Sequence, residues 1–206
     1  QYYHAAVGNV DGNKIMNRDW DTCILLDACR YDYFQQENPY DSFKLTKEVS
    51  VGTDSKEFIK TVFSDREFHD TVYVTGNPFV SLLERDTFHD VIIDDTWDVR
   101  NSQPTAGQVT EAAVRAHEEY PNKRIIVHYM QPHFPVHDPD FNYMNEGITY
   151  RKSQHWPTGI SRSELRDGYQ ANLNYVLSHV TEFINKISGK VVITADHGEM
   201  LGERAT

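Results

Sequence analysis

Cysteine is scarce in this chain of 206 residues: only Cys23 and Cys29 occur. With Cys23 on a predicted strand and Cys29 opening a predicted helix, the two would not obviously meet, so no disulfide framework is expected. They read as two reduced, buried thiols. Long hydrophobic runs are missing as well. No stretch approaches the roughly 18 apolar residues of a membrane span, and none is expected in this chain. The N-terminus lacks the basic-then-apolar pattern of a secretory signal, which leans toward the cytoplasm while leaving the compartment open. Basic charge is in deficit, with 20 Lys and Arg against 31 Asp and Glu and a net charge of −11. Nucleic acid is thereby excluded as a partner, because a phosphate backbone is bound by a basic surface. An anionic substrate would need local positive charge, which a metal ion supplies.

What is present is an alternation of strand and helix patterns. Short β-branched runs at 22–26, 71–75, 91–93, 124–130 and 191–193 read as buried strands, and Leu45 to Val51 alternates loosely enough to be another. Helical patterns fill 28–36, 56–63, 104–120 and 161–187; the last has Leu165, Tyr169, Leu173, Val176, Leu177, Val180 and Ile184 on one face. The expectation is an α/β fold, a mostly parallel sheet with helices on both faces. Residues 1–18 read as an N-terminal arm and 19–206 as one domain. Within it, 138–162 has no clean period and reads as an insertion over the active face, with Arg151, Lys152 and His155 as candidate anion contacts.

The most informative stretch is Lys190 to Glu203, K-V-V-I-T-A-D-H-G-E-M-L-G-E. An apolar strand delivers Asp196 and His197 to its carboxyl end, where open α/β sheets bind ligands. A carboxylate beside an imidazole suits a divalent ion such as Zn or Mn, although an Asp-His-Gly turn capping a helix would look the same. Asp27 ends the first strand, where it can meet Asp196 or cap the helix that follows. Gly52-Thr53-Asp54-Ser55 leads into a helix, so Thr53 or Ser55 can be an N-cap, or a nucleophile among free N–H groups. His128, inside a strand, reads as a hydrogen-bonded core residue. His133 lies in a proline-rich loop, Q-P-H-F-P-V-H-D, whose His137 and Asp138 hint at a second ion.

T-A-D-H-G-E-M-L-G-E resembles the C-terminal metal motif of the alkaline phosphatase superfamily, in its sulfatase-like branch, which includes lipoteichoic acid synthases and phosphoethanolamine transferases. L-D-A-C-R-Y-D is similar to that family's first metal-binding segment, G-T-D-S-x-E-F to the synthases' nucleophile segment, and H-Y-M-Q-P-H-F-P to its substrate-side histidine segment. The resemblance implies one divalent ion (Mn, Zn, Ca or Mg) held by Asp27, Thr53, Asp196 and His197. Thr53 would be the nucleophile, with Ser55 as helix cap and fallback; His133 and Arg30 would contact the substrate. Family members usually continue past this motif, so the chain is expected to be truncated after Thr206.

The departures are informative. Cys29 lies in C-R-Y-D-Y, without the C-x-P-x-R segment of formylglycine sulfatases. No clear D-x-x-x-H pair supplies a second metal, and none is expected. The function implied is a metal-dependent hydrolase or transferase acting on a phosphate or sulfate ester, glycan- or lipid-linked, through a covalent threonine intermediate. The alternative is a catalytically inactive module of the same fold that binds a glycan or a protein partner.

Overall fold

Every expected strand but one forms in the computed structural model, which describes residues 15–93, 103–145 and 159–203. The strands are β1 (Thr22–Asp27), β2 (Phe68–Thr75), β3 (Phe88–Ile92), β4 (Arg124–Pro132) and β5 (Val191–Ala195). They make one all-parallel sheet in the order β3-β2-β4-β1-β5. Helices α1 (Tyr31–Glu37), α2 (Ser55–Phe63), α3 (Ala106–Glu119) and α4 (Arg162–Ile184) connect and cover it.

The sheet is apolar on both faces because alternate side chains of each strand point opposite ways. Ile24, Leu26, Val72, Val74, Ile125 and Val127 pack against α3 and α4. Cys23, Leu25, Tyr73 and Ile126 meet the Phe58, Ile59, Val62 and Phe63 side of α2. The expected stripe of the last helix is buried from Leu165 to Val180. Phe58 and Phe63 are fully buried, and truncating either to Ala would cost about 3–5 kcal/mol. Both cysteines are free and buried, as expected. Burial raises the Cys23 thiol to about 12 and pushes Cys29 higher still, so neither is a ready nucleophile.

Helix starts are set by side chains. Thr105 and Ser161 each close a capping box, with Gln108 and Glu164. Asp54, and not Ser55, caps α2 by accepting the Glu57 N–H. Glycine is required at two turns near the site. A Cβ on Gly52 would come within 2.5 Å of Phe58 N. Gly189 has φ +101 and lies against Asp21, where the chain turns from α4 toward β5.

Three expectations shift. Leu45 to Val51 forms no strand; it runs irregularly beside β5, and the Ser50 hydroxyl donates to the Asp196 carbonyl. The inner end of the expected arm is part of the core, since Ile15 and Met16 are buried in a 3-10 turn. Pro139–Asn145 of the expected insertion is also 3-10, whereas Arg151, Lys152 and His155 lie outside the described residues. No described helix is long and apolar enough to cross a membrane.

Candidate metal centre

Strand parity builds the site. Leu25 and Asp27 of β1 share the face that α2 covers, and His128 of β4 sits opposite Leu25, on the same face as Ile126. The α2 N-terminus therefore ends over Asp27, which Ser55 reaches. Asp196 and His197 arrive from the adjacent carboxyl end of β5. Asp27, His128, Asp196, Ser55 and His197 are all buried.

Each of these groups has its outer polar atom bonded to the protein. Asp27 Oδ2 accepts from Ser55 Oγ at 3.0 Å and from Asn77 Nδ2 at 3.2 Å. Asp196 Oδ1 accepts the Ala28 N–H at 2.9 Å and the His197 N–H at 2.8 Å. His128 Nδ1 lies 2.7 Å from the Tyr73 hydroxyl, and His197 Nδ1 lies 2.8 Å from the Gly198 carbonyl. The Gly198 carbonyl can only accept, so His197 Nδ1 carries a proton, whereas the Tyr73 hydroxyl can donate to His128 Nδ1 or accept from it.

The inner atoms are bare. Asp27 Oδ1, His128 Nε2 and Asp196 Oδ2 are buried without any hydrogen-bond partner. Buried polar atoms are almost always satisfied, and here three converge, all within 4.8 Å of one another. His128 Nε2 stands 3.6 Å from Asp196 Oδ2, and His197 Nε2 stands 3.4 Å from Asp27 Oδ1 and 3.7 Å from Asp196 Oδ2. Four donors at about 2.0–2.2 Å around a tetrahedral ion would stand roughly 3.3–3.6 Å apart. Asp27, His128 and Asp196 could therefore hold a metal ion, with His197 beside two of them.

The electrostatics agree. Burial alone would raise the Asp196 carboxyl, but His197, His128 and the Ala28 N–H outweigh it and hold its pKa well below the usual range. Burial would lower the His197 imidazole, yet the Asp196 and Asp27 carboxylates push it up to about 10. Two carboxylates out of water demand a positive charge beside them, from an imidazolium or a cation. Ala28, between Asp27 and Cys29, adopts φ 60, a strained backbone for a residue with a Cβ. That conformation aims its N–H at Asp196, and Tyr169 donates to its carbonyl.

Of the expected residues, Asp27, Asp196 and His197 come together. Thr53, expected in this group, is bonded elsewhere. Its N–H and hydroxyl both donate to Glu57 Oε2 at 2.8 Å, a contact that ties down the start of α2. Ser55, freed from capping by Asp54, is the hydroxyl that reaches Asp27, and it lies 3.3 Å from His197 Nε2. The expectation of His128 as a core histidine is half right. It is hydrogen-bonded through Nδ1, and its Nε2 has no hydrogen-bond partner.

His133 stands at the rim with Nε2 3.9 Å from Glu199, and its backbone N–H donates to the Asp27 carbonyl. Arg30 is already engaged: it forks onto Asp32, pairs with Glu203 and reaches the Glu199 carbonyl. It straps the turn after Asp196 and presents little uncompensated charge to a substrate. His137 is held by Gln131 and stacks on Tyr175, away from any carboxylate cluster among the described residues. No family model matches this chain, and no curated protein matches it.

Proposed function

We propose that the chain is a metal-dependent hydrolase or transferase of phosphate or sulfate esters, related to the sulfatase-like branch of the alkaline phosphatase superfamily. The covalent intermediate in this reading forms on Ser55. The observation that carries it is the placement of Ser55 Oγ, buried at the first turn of α2, between Asp27 Oδ2 and His197 Nε2 and beside three bare ligand atoms.

A divalent ion bound there would lower the hydroxyl's pKa and offset the charge that builds on the ester's oxygens. The residues supply the rest. Ser55 Oγ gives its proton to Asp27 Oδ2, with which it is already hydrogen-bonded, and bonds to phosphorus or sulfur as the ester oxygen departs. Free N–H groups and the positive end of α2 favour an anion at this position. His133, at the rim, would give the departing alkoxide its proton. His133, having given up its proton, then takes one from the incoming water or alcohol, whose oxygen displaces Ser55 Oγ, and Asp27 returns its proton to restore the hydroxyl. The acceptor decides between hydrolysis and transfer.

Nitrophenyl phosphate, bis(nitrophenyl) phosphate and nitrophenyl sulfate, tested with Zn, Mn, Mg and Ca, check this reading. The expected result is metal-dependent release of nitrophenol and a trapped ester on Ser55 in peptide mass spectra. No turnover with any ion, in protein that binds the ion, would favour the binding module instead.

A further inference from the structure

One buried amide outside the metal centre grips the loop that carries His133. Asn172 lies on α4, one turn after Tyr169 and on the same buried face. Its Nδ2 donates to the carbonyls of Pro132, His133 and Pro135 at 3.1, 3.0 and 3.1 Å, and its Oδ1 accepts the His137 N–H at 3.0 Å. The loop is poor in donors of its own, because Pro132 and Pro135 carry no N–H. Asn172 supplies what it lacks, since main-chain carbonyls out of water need a partner.

His133 is thereby held on both sides. Its N–H donates to the Asp27 carbonyl at 3.2 Å, and its carbonyl accepts from Asn172. The ring is tied to the same backbone. Its Nδ1 lies 2.7 Å from the Phe134 carbonyl, which can only accept, so Nδ1 carries a proton and Nε2 faces Glu199 at the rim. The neighbouring Tyr169 serves the other side of the site: its hydroxyl donates to the Ala28 carbonyl and accepts the Arg30 N–H. One face of α4 therefore braces the turn after Asp27 and, separately, the loop of His133.

We propose that Asn172 is the positioning residue of the proton donor: it fixes the 132–137 loop so that His133 Nε2 stands at the departing oxygen of the ester. The assignment rests on the reading of His133 as that donor. Asn172 is fully buried and acts only through His133. Misplacing a reacting group by about 1 Å can cost about 100-fold, and the amide of Asn172 fixes the main chain on the carboxyl side of His133.

The test compares leaving groups. Nitrophenolate departs with little help, whereas phenolate needs a proton as it leaves, so a proton donor shows in the ratio of nitrophenyl to phenyl ester turnover. The pair is made from whichever phosphate monoester, phosphate diester or sulfate the metal-loaded full chain turns over. His133→Ala should raise the ratio about 100-fold. Asn172→Ala should raise it about tenfold or more, with zinc affinity as in the parent, and should raise it no further when His133 is already alanine. Where Asn172→Ala does not fold, Asn172→Gln decides, because it carries the amide one carbon further from α4 and should raise the ratio too.

A parental ratio in the folded Asn172 variant, with His133→Ala behaving as stated, overturns the role of Asn172 and leaves the reading of the chain as an ester hydrolase or transferase standing. A rise that persists when His133 is already alanine overturns it equally. A parental ratio in His133→Ala removes the donor and the assignment with it. No turnover by the parent with any ion removes the whole reading.

Discussion

The two ends of the same sheet are built on opposite terms. At the amino end, no buried side-chain polar atom lacks a partner among the described residues. Asp21 accepts the Lys190 N–H at 2.7 Å, Thr22 Oγ1 meets His117 Nε2 at 3.0 Å, and Arg124 stacks 3.6 Å over Trp20. At the carboxyl end, Asp27, His128 and Asp196 are each tied on one side and bare on the other. Burying a bare carboxylate oxygen is costly, and that cost is borne at the carboxyl end and not at the amino end. The lesson is that unsatisfied atoms locate this site more sharply than acidity does, since 31 acidic residues are spread along the chain.

The difference can be broken by substitution. The largest effect belongs to Ser55→Ala: metal-dependent turnover should fall at least about 1,000-fold while metal content stays unchanged. Thr53→Ala, which frees only the start of α2, should keep activity within about tenfold, and the reverse pattern would hand the hydroxyl's role back to Thr53. Next comes Asp196→Asn, expected to weaken metal binding at least about 100-fold in calorimetric titration. Asn77→Ala removes the amide that orients Asp27 and should cost about 10- to 100-fold in metal affinity.

At the amino end, Asp21→Ala should lower stability by about 1 kcal/mol in denaturant unfolding. It should leave metal affinity untouched, and a change there would mean the two ends are coupled.

The smallest effect concerns His117. Burial lowers its pKa below the ordinary 6.5, so the unfolded chain binds that proton more readily than the folded one. The stability from keeping it neutral is present above about pH 6.5 and is lost as the pH falls below it. Between about pH 8 and about pH 5 the parent protein should lose more melting temperature than His117→Gln.

Most of this architecture is legible from residue order. The β-branched runs locate the strands, and D-H-G at the end of Val191–Ala195 locates one side of the site. Four features were not legible, for physical reasons. Which of Thr53, Asp54 and Ser55 caps α2 turns on a one-residue boundary, and such boundaries are weakly specified by sequence. The structure resolves it because Asp54 takes the capping bond and Ser55 is turned inward. His128 lies in R-I-I-V-H-Y-M, where it looks like any buried polar residue; only strand parity with Ile126 puts it on the α2 face. Asn77 and Tyr73 act by holding ligand side chains, and no spacing in the chain announces such partners. Leu45 to Val51 fails as a strand because pairing is a property of neighbours, and β5 stands across a groove from it.

The most direct test of the metal centre is anomalous diffraction from crystals grown with zinc, measured on either side of the metal's absorption edge. The account predicts one strong peak about 2.0–2.2 Å from Asp27 Oδ1, His128 Nε2 and Asp196 Oδ2. No peak there at saturating zinc, or a peak bound elsewhere with these three atoms still bare, would contradict it.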